Sequence, residues 1–156
     1  MPVSQEAFRE AMGRMPSAVT IVSVQDPGGP MGMTASAVCS LSLEPPMLLV
    51  CVARDALIHD QIVRADVFGI DVLGESQRDL ARRFADRASH RWDNVTELSP
   101  HGMPLLAGSL AHVDCRRDRV FPGGDHSIVT GIVEWVRASA GQPLTYFRRS
   151  YGGFAP

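Results

Sequence analysis

The sequence lacks the features that mark nucleic-acid-binding and membrane proteins. Its 156 residues carry a formal net charge of −2, with no run of basic residues interleaved with aromatics, so nucleic acid is not an expected partner. The longest strongly apolar stretch, residues 47–53, is far shorter than the roughly 20 residues that cross a bilayer. The N-terminus has no signal-like apolar region either. We therefore expect a cytoplasmic protein without a membrane partner.

Cysteine is also scarce. There are three cysteines and no C-x-x-C pair, which gives neither a disulfide framework nor a zinc site. The five histidines have no spacing typical of metal ligands, so we expect no metal. This cysteine usage fits a reducing compartment.

What the sequence does contain is enough apolar material for one domain over residues 1–156, at a hydrophobic fraction of 45%. Helical spacing predicts short helices over about 4–14, 55–63 and 76–85, beginning with a Ser4 cap, an Asp55 cap and a Ser76–Asp79 capping box. β-Branched and apolar runs predict strands over 18–24, 31–39, 47–53, 67–73, 109–116, 126–137 and 144–148. Residues 40–46 are predicted to cross between strands, and residues 87–108 to form a long loop.

Two fold classes compete for this order of elements. A doubly wound parallel sheet accounts for the strand and helix alternation over residues 47–86, but it does not account for a second half made only of strands and turns. It also requires a glycine-rich turn that leads from the first strand into a helix, whereas here the strand runs into Asp26-Pro27-Gly28-Gly29-Pro30. We therefore predict a mainly β (α+β) protein, an antiparallel β-barrel with a few peripheral helices.

One segment, residues 32–46, has the composition of a site for a flat ligand. It reads GMTASAVCSLSLEPP, in which small side chains allow backbone amides to approach a ring and hydroxyls can bond polar ligand atoms. The same composition also occurs wherever two backbones pack closely. The residues alone leave both interpretations open.

The segment resembles the signature of the flavin reductase-like family, G-[VM]-T-A-S-[SA]-x-x-S-[VL]-S-L-x-P-P. The similarity extends over nearly the whole chain, including residues 15–20, 68–85, 102–106, 124–126 and 143–152. The resemblance implies a split β-barrel, a homodimer with flavin near the interface, and reduction of FMN or FAD by NADH or NADPH. Many members of this family supply reduced flavin to a separate monooxygenase component.

The resemblance also assigns residues to roles. Cofactor contacts fall on Met33, Thr34, Ala35, Ser36, Ala37, Ser40, Leu41, Asp55, Ala56 and Leu57, with the phosphate on Arg87, Ala88 and Ser89. Tyr146, Arg149 and Tyr151 are expected to shape the nicotinamide groove, and His126 to position the hydride donor. One departure is Asp71, which stands where the family usually has Asn and which is a pure acceptor when ionised.

Alternatives to a flavin reductase remain at this point. One is a flavoprotein that holds FMN tightly and reduces another acceptor, such as a metal chelate or a corrinoid. Another is a flavin-binding dimer without turnover. The sequence also leaves FMN against FAD open, because both share the ring, the ribityl chain and the first phosphate.

Overall fold

The structure is a computed structural model that describes residues 3–86, 92 and 97–154. Within these residues the elements are, in chain order, α1 (Gln5–Met12), β1 (Ser17–Ala18), β2 (Thr20–Asp26), β3 (Gly29–Ala35), β4 (Val38–Leu43), β5 (Pro46–Ala53), α2 (His59–Arg64), β6 (Val67–Val72), α3 (Arg78–Ala85), β7 (Ala111–Gly123), β8 (His126–Ala138), β9 (Thr145–Phe147) and β10 (Ser150–Gly152). A 3-10 turn over Glu75–Gln77 leads into α3. No helix among the described residues has the length and apolar character to cross a membrane.

Seven of the strands form one antiparallel sheet in the order β3-β2-β6-β7-β8-β5-β4. The edge strands β3 and β4 are consecutive in the chain and are joined only by Ser36 and Ala37. A link from Ala35 to Val38 spans at most about 11 Å. A flat sheet of seven strands would separate its edges by about 29 Å. The sheet must therefore curl until β3 and β4 approach each other, which gives a barrel split between them and confirms the predicted fold class.

The curled sheet encloses the main core, here called the barrel core. It contains buried residues of β2, β3, β5, β6, β7 and β8, together with Ile62 of α2 and Ile58, which precedes that helix. A second cluster, here called the outer core, lies on the other face of β2, where α3 packs with Leu106 and Leu144. Alternation along β2 explains the division, because Val22 and Val24 face the barrel core while Ile21 faces the outer core.

The predicted strand 31–39 and the predicted crossing at 40–46 are wrong in detail. β3 ends at Ala35, and residues 38–43 form the edge strand β4, which pairs with β5 in a hairpin. The apolar and small residues run on without interruption through Ser36 and Ala37 because both strands continue there on opposite edges of the same barrel. Local pattern therefore gives no sign of the break.

Three further predictions needed correction. β7 continues to Gly123 rather than ending at 116, because two irregularities in its pairing with β8 disturb the alternation of side chains. Asp55 does not cap α2, which begins at His59 with Ile58 as its N-cap. The capping contact near α3 is made by Gln77, whose side-chain oxygen accepts from the Gly74 amide at 2.8 Å, and not by Ser76.

Asp71, which stands where the family usually has Asn, belongs to a buried charged cluster on the outer face of β6 and β7. Asp71, His112 and Asp114 are almost completely buried. His112 Nδ1 lies 3.0 Å from one Asp71 oxygen, and its Nε2 lies 2.8 Å from Asp114 Oδ1. Asp114 also contacts His101 Nδ1 at 3.1 Å, and Asp71 accepts from the Leu106 amide at 3.4 Å. The cluster thus fixes part of the irregular segment 97–110 to the sheet.

This cluster predicts a loss of stability at alkaline pH. Burial by itself lowers the pKa of His112, but the hydrogen bond to Asp114 and the attraction from both Asp114 and Asp71 outweigh it and raise the pKa to about 9, against an ordinary value of 6.5. The folded pKa is the higher one, so this stabilisation is complete below about pH 6.5 and is lost as pH rises through about 9. We expect the free energy of unfolding to fall by about 3 kcal/mol over that window.

Urea unfolding of the wild type and of His112→Gln, measured between about pH 6 and pH 10, tests this expectation. The variant lacks the titrating group, so its stability should change little through the same window. An equal alkaline decline in both proteins would assign the pH dependence to other groups.

Candidate active site

A cleft of about 250 Å³ lies between β3, the end of α3 and the turn 54–58 that follows β5. Most of its lining side chains are small or apolar. They are Gly32, Met33, Thr34, Ala53, Asp55, Ala56, Leu57, Ile58, Phe84 and Ala85. Small residues on three elements leave backbone accessible along the cleft, as a site for a planar ring requires.

A second cleft of about 130 Å³ adjoins the first and shares Thr34 and Ala85 with it. Tyr146 and Tyr151 line this part, with their ring centroids 5.2 Å apart, together with Val19, Ala35 and Ser36. The two clefts together reach the lower end of the range of about 300–1,000 Å³ that is typical of ligand sites. An elongated ligand could therefore extend from the turn 54–58 to the short β9–β10 hairpin.

Thr34 stands at the junction of the two clefts. Its hydroxyl donates to the Ala81 carbonyl at 2.6 Å, which ties α3 to β3. Its hydrogen is therefore used within the protein, and the Thr34 oxygen remains as an acceptor. Of the two hydroxyls that the sequence placed here, Ser36 is the one available as a donor to a ligand.

Gly32 is required by the packing behind the first cleft. A Cβ at this position would lie 2.6 Å from Trp92 Cζ2 and 2.9 Å from Phe84 Cε1. Phe84 and Trp92 themselves make an edge contact with ring centroids 4.8 Å apart. Gly32 therefore lets two aromatic rings approach the β3 backbone.

Gly32→Ala should consequently destabilise the fold and weaken the site together. The added methyl group must displace aromatic rings in a packed cluster, which typically costs about 1–3 kcal/mol of unfolding free energy. Chemical denaturation measures that cost, and Gly28→Ala is the matched control because the nearest atom to its Cβ, Asp26 Oδ1, lies at 3.6 Å. Equal stability of the two variants would contradict this packing role.

His126 begins β8 beside the first cleft. It pairs directly with Ala53, so its side chain projects on the face that carries the Ala53 lining. Its Nδ1 lies 2.7 Å from Asp125 Oδ1, and this hydrogen bond holds the pKa of Asp125 below its usual range. Because the carboxylate is an acceptor, Nδ1 carries a proton, and in the neutral ring Nε2 is left as an acceptor.

The family model described as a flavin reductase like domain matches residues 12–155. The chain belongs to this family.

Similar proteins include the reductase subunit of a stachydrine N-demethylase from Rhizobium meliloti, 39% identical over 152 residues, which cover 96% of this chain and 65% of that protein. The reductase subunit HsaB of a flavin-dependent monooxygenase from Rhodococcus jostii is 35% identical over 99% of this chain and 80% of its own length. An NADH:FAD oxidoreductase from Streptomyces globisporus, solved with NAD and FAD fragments, superposes with a TM-score of 0.92 at 34% identity, covering 100% and 98% of the two chains.

The structure brings together most of the residues that the flavin reductase-like signature assigned to a site. Seven of them line the first or second cleft from the signature itself or from the turn 54–58, and two more line the second cleft from the terminal hairpin. These residues are Met33, Thr34, Ala35, Ser36, Ala56, Leu57, Tyr146 and Tyr151, with Asp55 as the charged member.

Other assigned residues lie elsewhere. Ala37 is in the link between β3 and β4, Ser40 and Leu41 are on β4, and none of the three lines either cleft. Arg149 lines a separate concavity next to α1. Arg87, Ala88 and Ser89 fall outside the described residues.

Sequence reasoning missed the contributions of Ala53, Phe84 and Ala85 to the lining. Phe84 and Ala85 end the predicted helix that begins at Ser76, and Ala53 ends the predicted strand 47–53. Their positions were the available signal. Each is the last or next-to-last residue of its strand or helix, and the ends of several elements can meet at one cleft.

A larger cleft, of about 450 Å³, lies elsewhere, between residues 74–76, 108–110 and 140–142. Its lining contains neither residues of the family signature nor an aromatic ring. Size alone therefore does not identify the site in this protein.

Proposed function

We propose that this protein oxidises NADH and reduces FMN or FAD, and that it supplies the reduced flavin to a partner monooxygenase. The observation that carries the proposal is the pair of adjoining clefts, which join the signature residues Met33–Ser36 to the turn 54–58 and to Tyr146 and Tyr151. Similar proteins described as NADH-dependent FAD reductase and as reductase subunits of monooxygenases support it. The three free cysteines, Cys39, Cys51 and Cys115, support a cytoplasmic location.

The lining fits a flavin at its ring end. Backbone beside Thr34–Ser36 and the turn residues Ala56 and Leu57 would border the ring, and Ser36 would donate to a polar ring or ribityl atom. The Asp55 carboxylate cannot neutralise a phosphate, so its part would be a backbone contact. Arg87, Ala88 and Ser89 remain the proposed phosphate contacts, with Arg87 as the counter-charge.

His126 is proposed to orient the hydride donor. A bound flavin supplies the hydride acceptor, and transfer between stacked rings needs no protein acid or base, so the protein's part is positioning. With Nδ1 hydrogen-bonded to Asp125, His126 Nε2 can accept from the carboxamide N–H of nicotinamide. Tyr146 and Tyr151 would border the donor from the opposite side of the site.

We also propose that the protein is a homodimer. β5 is apolar on both faces, yet only Leu48, Val50 and Val52 are buried, while Met47 and Cys51 on the other face are half-exposed. The neighbouring β4 exposes Leu41 and Leu43, at 48% and 91%. Strands with two apolar faces are normally covered on both. A second copy over this face would place the interface next to Ala53 and the flavin cleft.

Leu49→Arg should convert the dimer to monomers in analytical ultracentrifugation, because it introduces a charge in the middle of that face. Val136→Arg is the control, because Val136 is 60% exposed on β8 beyond the residues that pair with β5. A wild-type monomer at all concentrations would contradict the dimer.

The activity is tested by mixing the purified protein with NADH or NADPH and with FMN or FAD in all four pairings. We expect loss of the nicotinamide absorbance band, fastest with NADH. Oxidation that requires a metal chelate or a corrinoid as an added acceptor would replace the proposal with the tightly bound flavoprotein. Absence of oxidation in every pairing would contradict it.

A further inference from the structure

His59, the first residue of α2, connects two elements that border the proposed flavin site. Its Nε2 lies 2.9 Å from Ser127 Oγ on β8, and its Nδ1 lies 3.0 Å from Asp60 Oδ1. The His59 side chain is 15% exposed and Ser127 is 7% exposed, whereas the Asp60 side chain is 68% exposed. The contact between His59 and Ser127 is here called the His59 clamp.

The direction of the hydrogen bond in the clamp depends on which imidazole nitrogens of His59 carry a proton. Asp60 is an acceptor, so His59 Nδ1 donates to it, and in the neutral imidazole Nε2 accepts from the Ser127 hydroxyl. When the imidazole is protonated, Nε2 becomes a donor and the hydroxyl can accept instead. The clamp therefore persists in both protonation states.

The clamp joins two segments that border the first cleft. His59 follows the turn 54–58, which contributes Asp55, Ala56 and Leu57 to the first cleft. Ser127 follows His126, which pairs with Ala53 at the edge of the same cleft. α2 has no side-chain N-cap, so this contact is a principal polar tie at the start of the helix.

We infer that His59 is a positioning residue, which holds the flavin-bordering turn at a fixed spacing from His126 through its contact with Ser127. This inference rests on the proposed function for the identity of the ligand. Hydride transfer depends on the spacing and alignment of two rings, so a small change in that spacing affects both flavin binding and the rate of transfer.

The order Ser127, His59, Asp60 is also that of a nucleophilic relay, but the burial excludes that role. Ser127 pairs with Val52, which faces the barrel core, so the Ser127 hydroxyl points inward. A buried hydroxyl on a strand interior is not presented to a substrate. The contact has the geometry of a tie between two elements.

Two substitutions of His59 separate the clamp from the residue's other contact. Glutamine places an amide at the distance of Nε2 and keeps the bond to Ser127, whereas asparagine reaches only the Nδ1 position and keeps the bond to Asp60. Ser127→Ala removes the clamp from the other side, and Asp60→Asn is the control that leaves it intact. If Ser127→Ala fails to fold, the His59→Asn and His59→Gln pair still decides the question.

The first measurement needs no ligand. The Ala56 amide donates to Ala53 and the His59 amide donates to Ala56 within the turn. We expect hydrogen exchange at both amides to accelerate about tenfold in His59→Asn and Ser127→Ala, the loss of one hydrogen bond, and to stay within about twofold in His59→Gln. Flavin affinity, measured by fluorescence, should fall about tenfold in the same two variants.

The inference is overturned if His59→Asn and His59→Gln behave alike, or if Ser127→Ala leaves exchange at Ala56 and His59 unchanged. Failure of the wild type to bind flavin would instead contradict the proposed function, while the exchange measurement would still report on the clamp.

Discussion

Ser36→Tyr should weaken flavin binding by at least about 100-fold. Ser36 lies at the junction of β3 and β4 and lines the second cleft together with Tyr146 and Tyr151. A phenol ring in a cleft of about 130 Å³ would fill the space between β3 and the terminal hairpin. The substitution also removes the hydroxyl that is available as a donor, so steric exclusion and a lost hydrogen bond act in the same direction.

The fold should tolerate this substitution, because Ser36 is exposed and its side chain has no hydrogen-bond partner in the described part of the chain. Exposed substitutions of this kind usually change the unfolding free energy by less than about 0.5 kcal/mol. Ser139→Tyr, at an exposed serine after β8, is the matched control. Flavin fluorescence quenching measures the affinity of each variant for flavin. Equal affinity of the two variants would show that the second cleft is not part of the flavin site.

His112→Ala should cost about 3–5 kcal/mol of unfolding free energy, the usual result of removing one partner from a buried charged group. Asp71 and Asp114 would keep their burial and lose the cation between them. Burial already holds the pKa of Asp71 above its usual range despite His112, so without His112 the carboxyl would be protonated or its surroundings would open. The segment around Leu106 would lose its attachment to β6 as a consequence.

Arg116→Ala provides the comparison for this prediction. Arg116 Nε bonds Glu134 Oε1 at 2.7 Å, but its side chain is 52% exposed, so solvent screens the pair and its loss should cost less than about 1 kcal/mol. Chemical denaturation near pH 7 compares the two variants directly. Similar losses of stability would mean that His112 is not a structural cation.

The sequence predicts the strands of this protein better than their connections. Alternation and turn residues locate β2, β5, β6 and β8 closely, because each has a long apolar face and a clear turn at its ends. The break at Ser36 and Ala37 depends on closure of the barrel, a contact between sheet edges far apart in strand order. No local pattern encodes such a contact, and the bulges in β7 are hidden in the same way.

The residues of the site also divide into those that the sequence predicts and those that it does not. The signature identifies Thr34 to Ser36 because those residues contribute small side chains and backbone from one continuous segment. Phe84 and Ala85 reach the cleft because α3 packs against β2 and β3, and one of these contacts, from the Thr34 hydroxyl to the Ala81 carbonyl, joins residues 47 positions apart. The buried cluster around His112 was equally hidden, since its three members lie on adjacent strands and resemble ordinary polar residues in sequence.

A crystal structure of the protein soaked with FMN and NAD tests the central claim most directly. The account predicts the flavin ring in the adjoining clefts, between the backbone of Thr34–Ser36 and the turn 54–58, with the nicotinamide on the side of His126. Flavin bound instead in the larger cleft lined by Gly74, Gly108 and Gln142 would contradict the account, whatever the catalytic activity of the protein.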